Sequence, residues 1–243
     1  MNDELFVLWK FKPINKYLIE SLVNRSLYFA KPDTLNDPFD CNIDLKKVLT
    51  RAELSATGDQ KNFLKSLLDD PQFFQNWKSI FENIGVCSFS RVNADRLLWS
   101  HYADNHRGVC LEYQFRESYF LNPEFDLAGA GNVEYLTEPL TEWLKNAPIE
   151  MVSFVEGLIH KYLKTKSPAW EYEKEARIIR SNHGEFHISD NFLRQVYFGL
   201  QTPQADIDLV TKLAQYYSGC TNFAQLIRDE TDFGFTVKKL ECQ

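Results

Sequence analysis

The sequence predicts an α+β fold: a mixed, mostly antiparallel sheet with a helical insertion near residues 45–83. Three observations carry this. Strand-like apolar runs recur at 5–11, 85–90 and 107–115. Helix-period patterns are grouped at 45–83 and 139–166 instead of alternating regularly with the strands. The chain then finishes on a closing pair of strand-like runs, 222–228 and 235–240.

Leu5 to Phe11 reads as a strand. Ile14 to Arg25 is helical, because Tyr17, Leu18 and Leu22 recur at helical spacing. Leu27 to Ala30 is a short strand ending at Lys31-Pro32, and Thr34 to Asp40 is a loop, since Asn-Asp-Pro is strong turn chemistry. Leu45 to Ala56 and Gln60 to Asn83 are helical, broken near Gly58 and Pro71. Gly85 to Ser90 is a strand, and Ala94 to Tyr102 a short helix with Asn93 as its N-cap. Arg107 to Phe115 is a strand, Asn122 to Gly131 a loop, and Val133 to Leu136 a strand. Pro139 to Lys166 is mostly helical on the recurrence of Trp143, Met151, Phe154, Leu158 and Tyr162, and Ser167-Pro168 ends it. Trp170 to Arg180 reads as a strand reached through a polar turn. Phe186 to Ile188 is short and extended, Gln195 to Leu200 a strand, and Pro203 to Tyr217 a helix opened by its proline. With no internal repeat and no linker, the 243 residues read as one domain.

Hydrophobic residues are 44% and charged residues 25%, which suits a globular protein with a sizeable core. The 19 Phe and 11 Tyr fit an aromatic-rich core or, alternatively, a stacking cleft for a base or sugar. A net charge of −7 argues against a dedicated nucleic-acid surface. Cys41, Cys87, Cys110, Cys220 and Cys242 form no CxxC pair, so reduced thiols are expected and a disulfide scaffold is not. Asp3, Glu4 and Lys10 do not suit a signal peptide. No apolar run approaches the ~20 residues that cross a membrane, so a cytoplasmic protein with no membrane partner is expected.

Three polar clusters stand between aromatics and beside strand ends, as active-site groups do. The first is Trp99 to Gly108, with Ser100, His101, Tyr102, Asp104, His106 and Arg107. His101 and His106 are five apart where a metal pair on one helix face needs four, so no metal site is assigned. Asp104 could orient either histidine, and Arg107 could pair with an anionic group of a ligand. In the second, Glu171, Glu173 and Glu175 alternate and on a strand would share a face with Arg177. That face is either a solvated edge or the mouth of a cleft whose carboxylate stabilises a cationic, oxocarbenium-like centre. The third, Asn36, Asp37 and Asp40, is either a rigid turn or a grip on a ribose hydroxyl or on a partner's basic group. Ser88 and Ser90 share one strand face, suited to a sugar or phosphate, while Cys87 and Cys110 sit among apolar neighbours and are expected to be buried. The glycine-rich dinucleotide fingerprint, the P-loop, HExxH and GxSxG are all missing, which removes the main support for dehydrogenases, NTPases, zinc proteases and α/β-hydrolases.

The run Leu8-Trp9-Lys10-Phe11, then Leu27-Tyr28-Phe29, Asn36-Asp37-Pro38-Phe39-Asp40, Cys87-Ser88-Phe89-Ser90, Leu98 to Ala103 with His106 and Gly108, and finally Trp170, Tyr172-Glu173, Glu175 and Arg177, resembles a bacterial domain-of-unknown-function family, number 2971. The resemblance runs from near the N-terminus to about Gly199. A more distant likeness is to ADP-ribosyltransferases, in the order of a Lys10-bearing first strand, a middle segment with Ser90 and Ser100-His101-Tyr102, and a late Glu173/Glu175 segment. That likeness implies NAD as substrate and a toxin or phage-defence role. It implies Lys10 on the nicotinamide ribose or a phosphate, Ser90 or Ser100 supporting the ribose, and Tyr102 stacking on the nicotinamide. Glu173 or Glu175 would polarise a ribose hydroxyl. Family members usually carry Arg or His at the first position, where this chain has Lys10. The alternatives are a non-catalytic module that binds a nucleotide or a protein partner, as an antitoxin or sensor does, and a metal-dependent nuclease using Asp37, Asp40 and the late glutamates.

Overall fold

A computed structural model describes residues 3–188 and 192–241. In chain order the elements begin with β1 (Leu5–Lys12), α1 (Lys16–Val23), β2 (Ser26–Phe29), α2 (Leu45–Ser55), α3 (Gly58–Leu68), α4 (Pro71–Asn83) and β3 (Gly85–Ser90). They continue with α5 (Arg96–Tyr102), β4 (Val109–Arg116), α6 (Glu117–Phe120), β5 (Leu127–Asn132), β6 (Glu134–Tyr135), α7 (Pro139–Leu144) and α8 (Met151–Leu163). The last are β7 (Thr165–Lys166), β8 (Glu175–Arg180), β9 (Gly184–His187), β10 (Leu193–Phe198), α9 (Gln204–Ser218), β11 (Asn222–Arg228) and β12 (Phe235–Leu240).

Eight strands form one sheet in the order β12-β11-β10-β4-β1-β3-β8-β5. Only the β10–β11 neighbours run parallel within it, so the sheet is mixed and mostly antiparallel, as the sequence predicts. Alternation along each strand sends side chains to opposite faces. On one face Leu18, Leu22, Ile207 and Val210 from α1 and α9 pack against Leu111, Phe198 and Phe223. On the other, Leu49, Leu64, Phe154 and Leu158 from the helical layer pack on Val86 and Ile179. Trp99 of α5 and Ala103, which follows it, close a smaller cluster with Cys110 and Leu226. The aromatic-rich composition thus feeds the core, where Phe29, Phe115, Phe125, Phe154, Phe198 and Phe223 are fully buried. Four cysteines are reduced and buried, and Cys242 lies outside the described residues. No helix among the described residues is long and apolar enough to cross a membrane.

Several local readings are corrected. The α5 helix starts later, with Asp95 as N-cap, because its carboxylate accepts from the backbone of Leu97 at 2.8 Å and Leu98 at 3.3 Å. The carbonyl of Asn93 instead accepts the indole N–H of Trp99. The expected loop at 122–131 contains β5, and the expected helix at 139–166 is α7, α8 and then the two-residue β7. The largest difference concerns Trp170 to Arg180. Residues Pro168–Glu173 form a 3-10 turn, Lys174 is left-handed at φ 45°, and only then does β8 begin. Glu171 and Glu173 therefore do not share a strand face with Glu175, and Glu171 is exposed beside Lys174.

On β1, burial pushes the Lys12 ammonium down to about 8, with the charge of Lys10 adding to the effect. Its Nζ donates to Ser21 Oγ at 3.3 Å. A lysine whose folded pKa lies below its ordinary 10.5 penalises the folded state while charged, and this penalty is relieved as the pH rises from about 8 to 10.5. Lys12→Met is therefore expected to raise the melting temperature at pH 7, with a smaller gain at pH 10. Scanning fluorimetry at both pH values checks this, and an equal gain at both would contradict it.

Candidate functional site

A split in the sheet makes the site. β1 pairs β4 along its whole length, and β3 pairs β8 likewise. Between β1 and β3 the register has one paired position, Trp9 with Ser90. The two strands splay apart, and a cavity of about 160 Å³ opens between them. Backbone groups along such a split still need partners. Lys10 supplies one: its Nζ donates to the Ser88 carbonyl at 2.7 Å and stands 5.0 Å from the centre of the Phe89 ring. Trp9, Phe11, Leu35, Phe89 and Leu98 form the apolar wall. Lys10, Asn36, Ser88, Ser90, Tyr102 and the late glutamates supply the polar groups.

Tyr102 reaches the cavity because α5 is tied down at both ends. Asp95 caps its start, and Trp99 is fully buried beneath it. At its end Asp104, Asn105 and His106 are all left-handed, with φ of 46°, 52° and 66°. This costly conformation turns the chain sharply into β4. The Tyr102 hydroxyl donates to Glu173 Oε1 and accepts from Asn36 Nδ2 at 3.2 Å. Burial and the neighbouring Glu173 push its pKa up, so the phenol stays a donor.

In the cavity wall Asp40, Glu173 and Glu175 meet Lys166, with Arg177 behind them, and all five are buried. Arg177 bonds both oxygens of Asp40, the carbonyl of Leu163 at 2.7 Å, and Glu175 through Nε at 2.6 Å and Nη2 at 3.2 Å. Lys166 Nζ donates to Glu173 Oε2 at 2.6 Å and Glu175 Oε2 at 3.1 Å, lies 3.7 Å from Asp40, and stands over the Trp170 ring. A carboxylate offers about four lone-pair sites. Glu175 fills three of them, two from Arg177 and one from Lys166. Among the described residues Glu173 receives two bonds, from Tyr102 and Lys166, so of the two glutamates on the cavity it keeps the more acceptor capacity.

The electrostatics separate the two glutamates further. Burial acts to raise the Glu175 carboxyl, but the charges and bonds of Arg177 and Lys166 outweigh it and hold it at about 2. Burial also raises Glu173, Glu175 adds repulsion, and the bonds from Lys166 and Tyr102 do not cancel the rise. Burial alone would lower the Lys166 ammonium, yet Glu175, Glu173 and Asp40 overcome it and keep it charged. Three carboxylates against two cations leave one excess negative charge, and it falls on Glu173.

Residues 98–178 match the model of the DUF2971 family, described as a protein of unknown function. That stretch contains Tyr102, Lys166, Glu173, Glu175 and Arg177, while Lys10, Asn36, Asp40 and Ser90 lie before it. No curated protein and no solved structure matches the chain.

Of the residues singled out from the sequence, Lys10, Asn36, Ser90, Tyr102, Glu173 and Glu175 line one cavity. Ser90 Oγ donates to the Glu173 carbonyl at 2.7 Å and so helps to place that residue. Arg177 lies beneath, wholly engaged. Asp37 holds the Trp170 indole at 2.7 Å and its own turn through the Phe39 N–H. The others stand apart. His101 is exposed and its Nδ1 meets the Tyr172 hydroxyl at 2.9 Å. Ser100 donates to the Arg96 carbonyl, and His106 stacks on Trp99. Arg107 is exposed in the turn. Lys166 is not among the residues singled out from the sequence, and Asp40 reads there as a turn residue, a grip on a ribose hydroxyl or partner, or a metal-binding acid, not as the partner of Arg177. The one signal for Lys166 was the excess of carboxylates over cations in the late cluster, which required a counter-charge from elsewhere in the chain.

The compensated charges bear on the nuclease alternative. Carboxylates that bind a divalent ion must be free to face it, and here Lys166 and Arg177 occupy that position. Among the described residues no group of three or more Asp, Glu, His or Cys is arranged to hold a metal.

Proposed function

We propose that this cavity carries out glycosyl transfer or hydrolysis on a nucleotide such as NAD, in the manner of ADP-ribosyltransferases. The observation that carries the reading is the convergence of Lys10, Ser90, Tyr102 and Glu173 on the split between β1 and β3, with acceptor capacity left on Glu173. The volume supports a divided ligand. Pockets for whole drug-sized molecules run to about 300–1,000 Å³, so a cavity of about 160 Å³ takes a ring and part of a sugar, with the rest of the nucleotide outside.

In this reading the aromatic wall, including Tyr102, holds the departing ring. Glu173 accepts a hydrogen bond from a ribose hydroxyl and offsets the positive charge that builds at the anomeric carbon as the bond to the ring nitrogen breaks. Water adds to that carbon from the other side and loses a proton, giving ADP-ribose, nicotinamide and H⁺ from NAD⁺. A nucleophile on a protein would replace water in a transfer. Lys10, which lines the cavity and whose ammonium has donor capacity beyond its bond to the Ser88 carbonyl, holds a ribose or phosphate oxygen. An enzyme that consumes NAD would serve as a toxin or phage-defence effector.

Chromatographic assay of nicotinamide release tests this. The wild type is expected to release nicotinamide, and Glu173→Gln to lose about 100-fold or more, the scale of one preorganised electrostatic group. NAD or ADP-ribose should raise the melting temperature, as any ligand of the folded state does. The absence of both release and a thermal shift would overturn the reading.

A further inference from the structure

We infer that Lys166 is a positioning residue for Glu173: its ammonium holds that carboxylate, ionised and turned toward the cavity, against the repulsion of the two acids beside it. Lys166 lies on β7, whose parallel pairing with β6 puts Tyr135 next to it in register. The Tyr135 hydroxyl in turn accepts the backbone N–H of Glu175 at 2.8 Å. The ammonium is thus delivered from outside the main sheet to the point where Asp40, Glu173 and Glu175 come together.

Its role differs from that of Arg177. Arg177 serves Asp40 and Glu175 and makes no bond to Glu173. Lys166 is the cation on Glu173, bonded to Oε2 at 2.6 Å, while the other oxygen takes the neutral Tyr102 hydroxyl. Without Lys166, Asp40 and Glu175 keep a counter-charge and Glu173 has none. A buried carboxylate in that position takes up a proton. A protonated Glu173 could neither accept fully from a ribose hydroxyl nor offset developing positive charge. The importance of this for catalysis rests on the proposed glycosyl chemistry, whereas the effect on Glu173 itself does not.

The test is a carboxyl-carbon NMR titration of the glutamate-labelled chain, with the Glu173 signal assigned by its loss in Glu173→Gln. In Lys166→Met the Glu173 midpoint is expected to rise by about one pH unit or more, a tenfold gain in proton affinity. Lys166→Arg should restore it toward the wild-type value. If Lys166→Met fails to fold, the charge-balanced Lys166→Met/Asp40→Asn is compared with Asp40→Asn alone, and the same rise is expected. An unchanged midpoint in the folded variant would overturn the inference. Nicotinamide release is measured in parallel, and the acid limb of its pH profile should move with the midpoint. A moved midpoint with no turnover by any form would refute the glycosyl reading and leave the positioning role standing.

Discussion

Replacing Arg177 with methionine is expected to cost about 3–5 kcal/mol of stability, the scale for breaking a buried ion pair by removing one partner. The guanidinium is 1% exposed and bonds two acids that are themselves buried, so its loss strands charge with no route to water. For a marginally stable fold this approaches the whole margin. The effect has a pH signature. Glu175 has its folded pKa held at about 2, below its ordinary 4.5. The stability it contributes is fully present above pH 4.5 and is lost as the pH falls to about 2. In Arg177→Met much of that contribution disappears at neutral pH, so the gap between variant and wild type should narrow on acidification. Urea denaturation at pH 7 and pH 3 measures this. A loss below about 1 kcal/mol at pH 7 would show that the cluster is not held as described.

Gly199→Ala is expected to destabilise by about 3 kcal/mol or more, because the new methyl meets backbone and not a yielding side chain. A Cβ at Gly199 would stand 2.1 Å from the His106 carbonyl oxygen. That carbonyl already accepts the Gln201 N–H at 2.9 Å, and Gly199 N donates to the Gly108 carbonyl at 3.0 Å. Neither segment can retreat without breaking a bond. The left-handed run Asp104–His106 would have to shift, and Tyr102 lies just before it on the same turn. The substitution should therefore also weaken any ligand-induced rise in melting temperature. Thermal melts with and without NAD give both readings. A wild-type melting temperature in Gly199→Ala would contradict the close approach of these two turns.

Much of the fold is legible in the sequence because local patterns agree with it. β1, β3, β11 and β12 are clear apolar or alternating runs, and α2, α4 and α9 have regular helical spacing. β5 escapes notice because Leu-Ala-Gly-Ala-Gly-Asn has no β-branched or aromatic residue, and its strand character comes from pairing with β8. The alternation from Trp170 to Arg177 misleads for a related reason. It imitates a strand, but Pro168 starts a 3-10 turn and left-handed Lys174 separates it from β8. The consequence reaches the site: Glu173 and Glu175 approach Lys166 from different elements, which lets one be held by two bonds and the other by three. Residue types such as Tyr102, Lys10 and Glu173 flag themselves by chemistry and setting. Lys166 does not, because the pairing of β7 with β6 that delivers it is a long-range event with no local trace. The split between β1 and β3 is equally invisible, since each strand reads as ordinary on its own.

The most direct test compares nicotinamide release and melting temperature in Glu173→Gln and Glu175→Gln. The account predicts that Glu173→Gln melts close to the wild type and has lost release by about 100-fold or more, while Glu175→Gln melts well below it, because its carboxylate compensates Arg177. Full release by Glu173→Gln, in a chain whose wild type turns over NAD, would contradict the assignment of the open carboxylate.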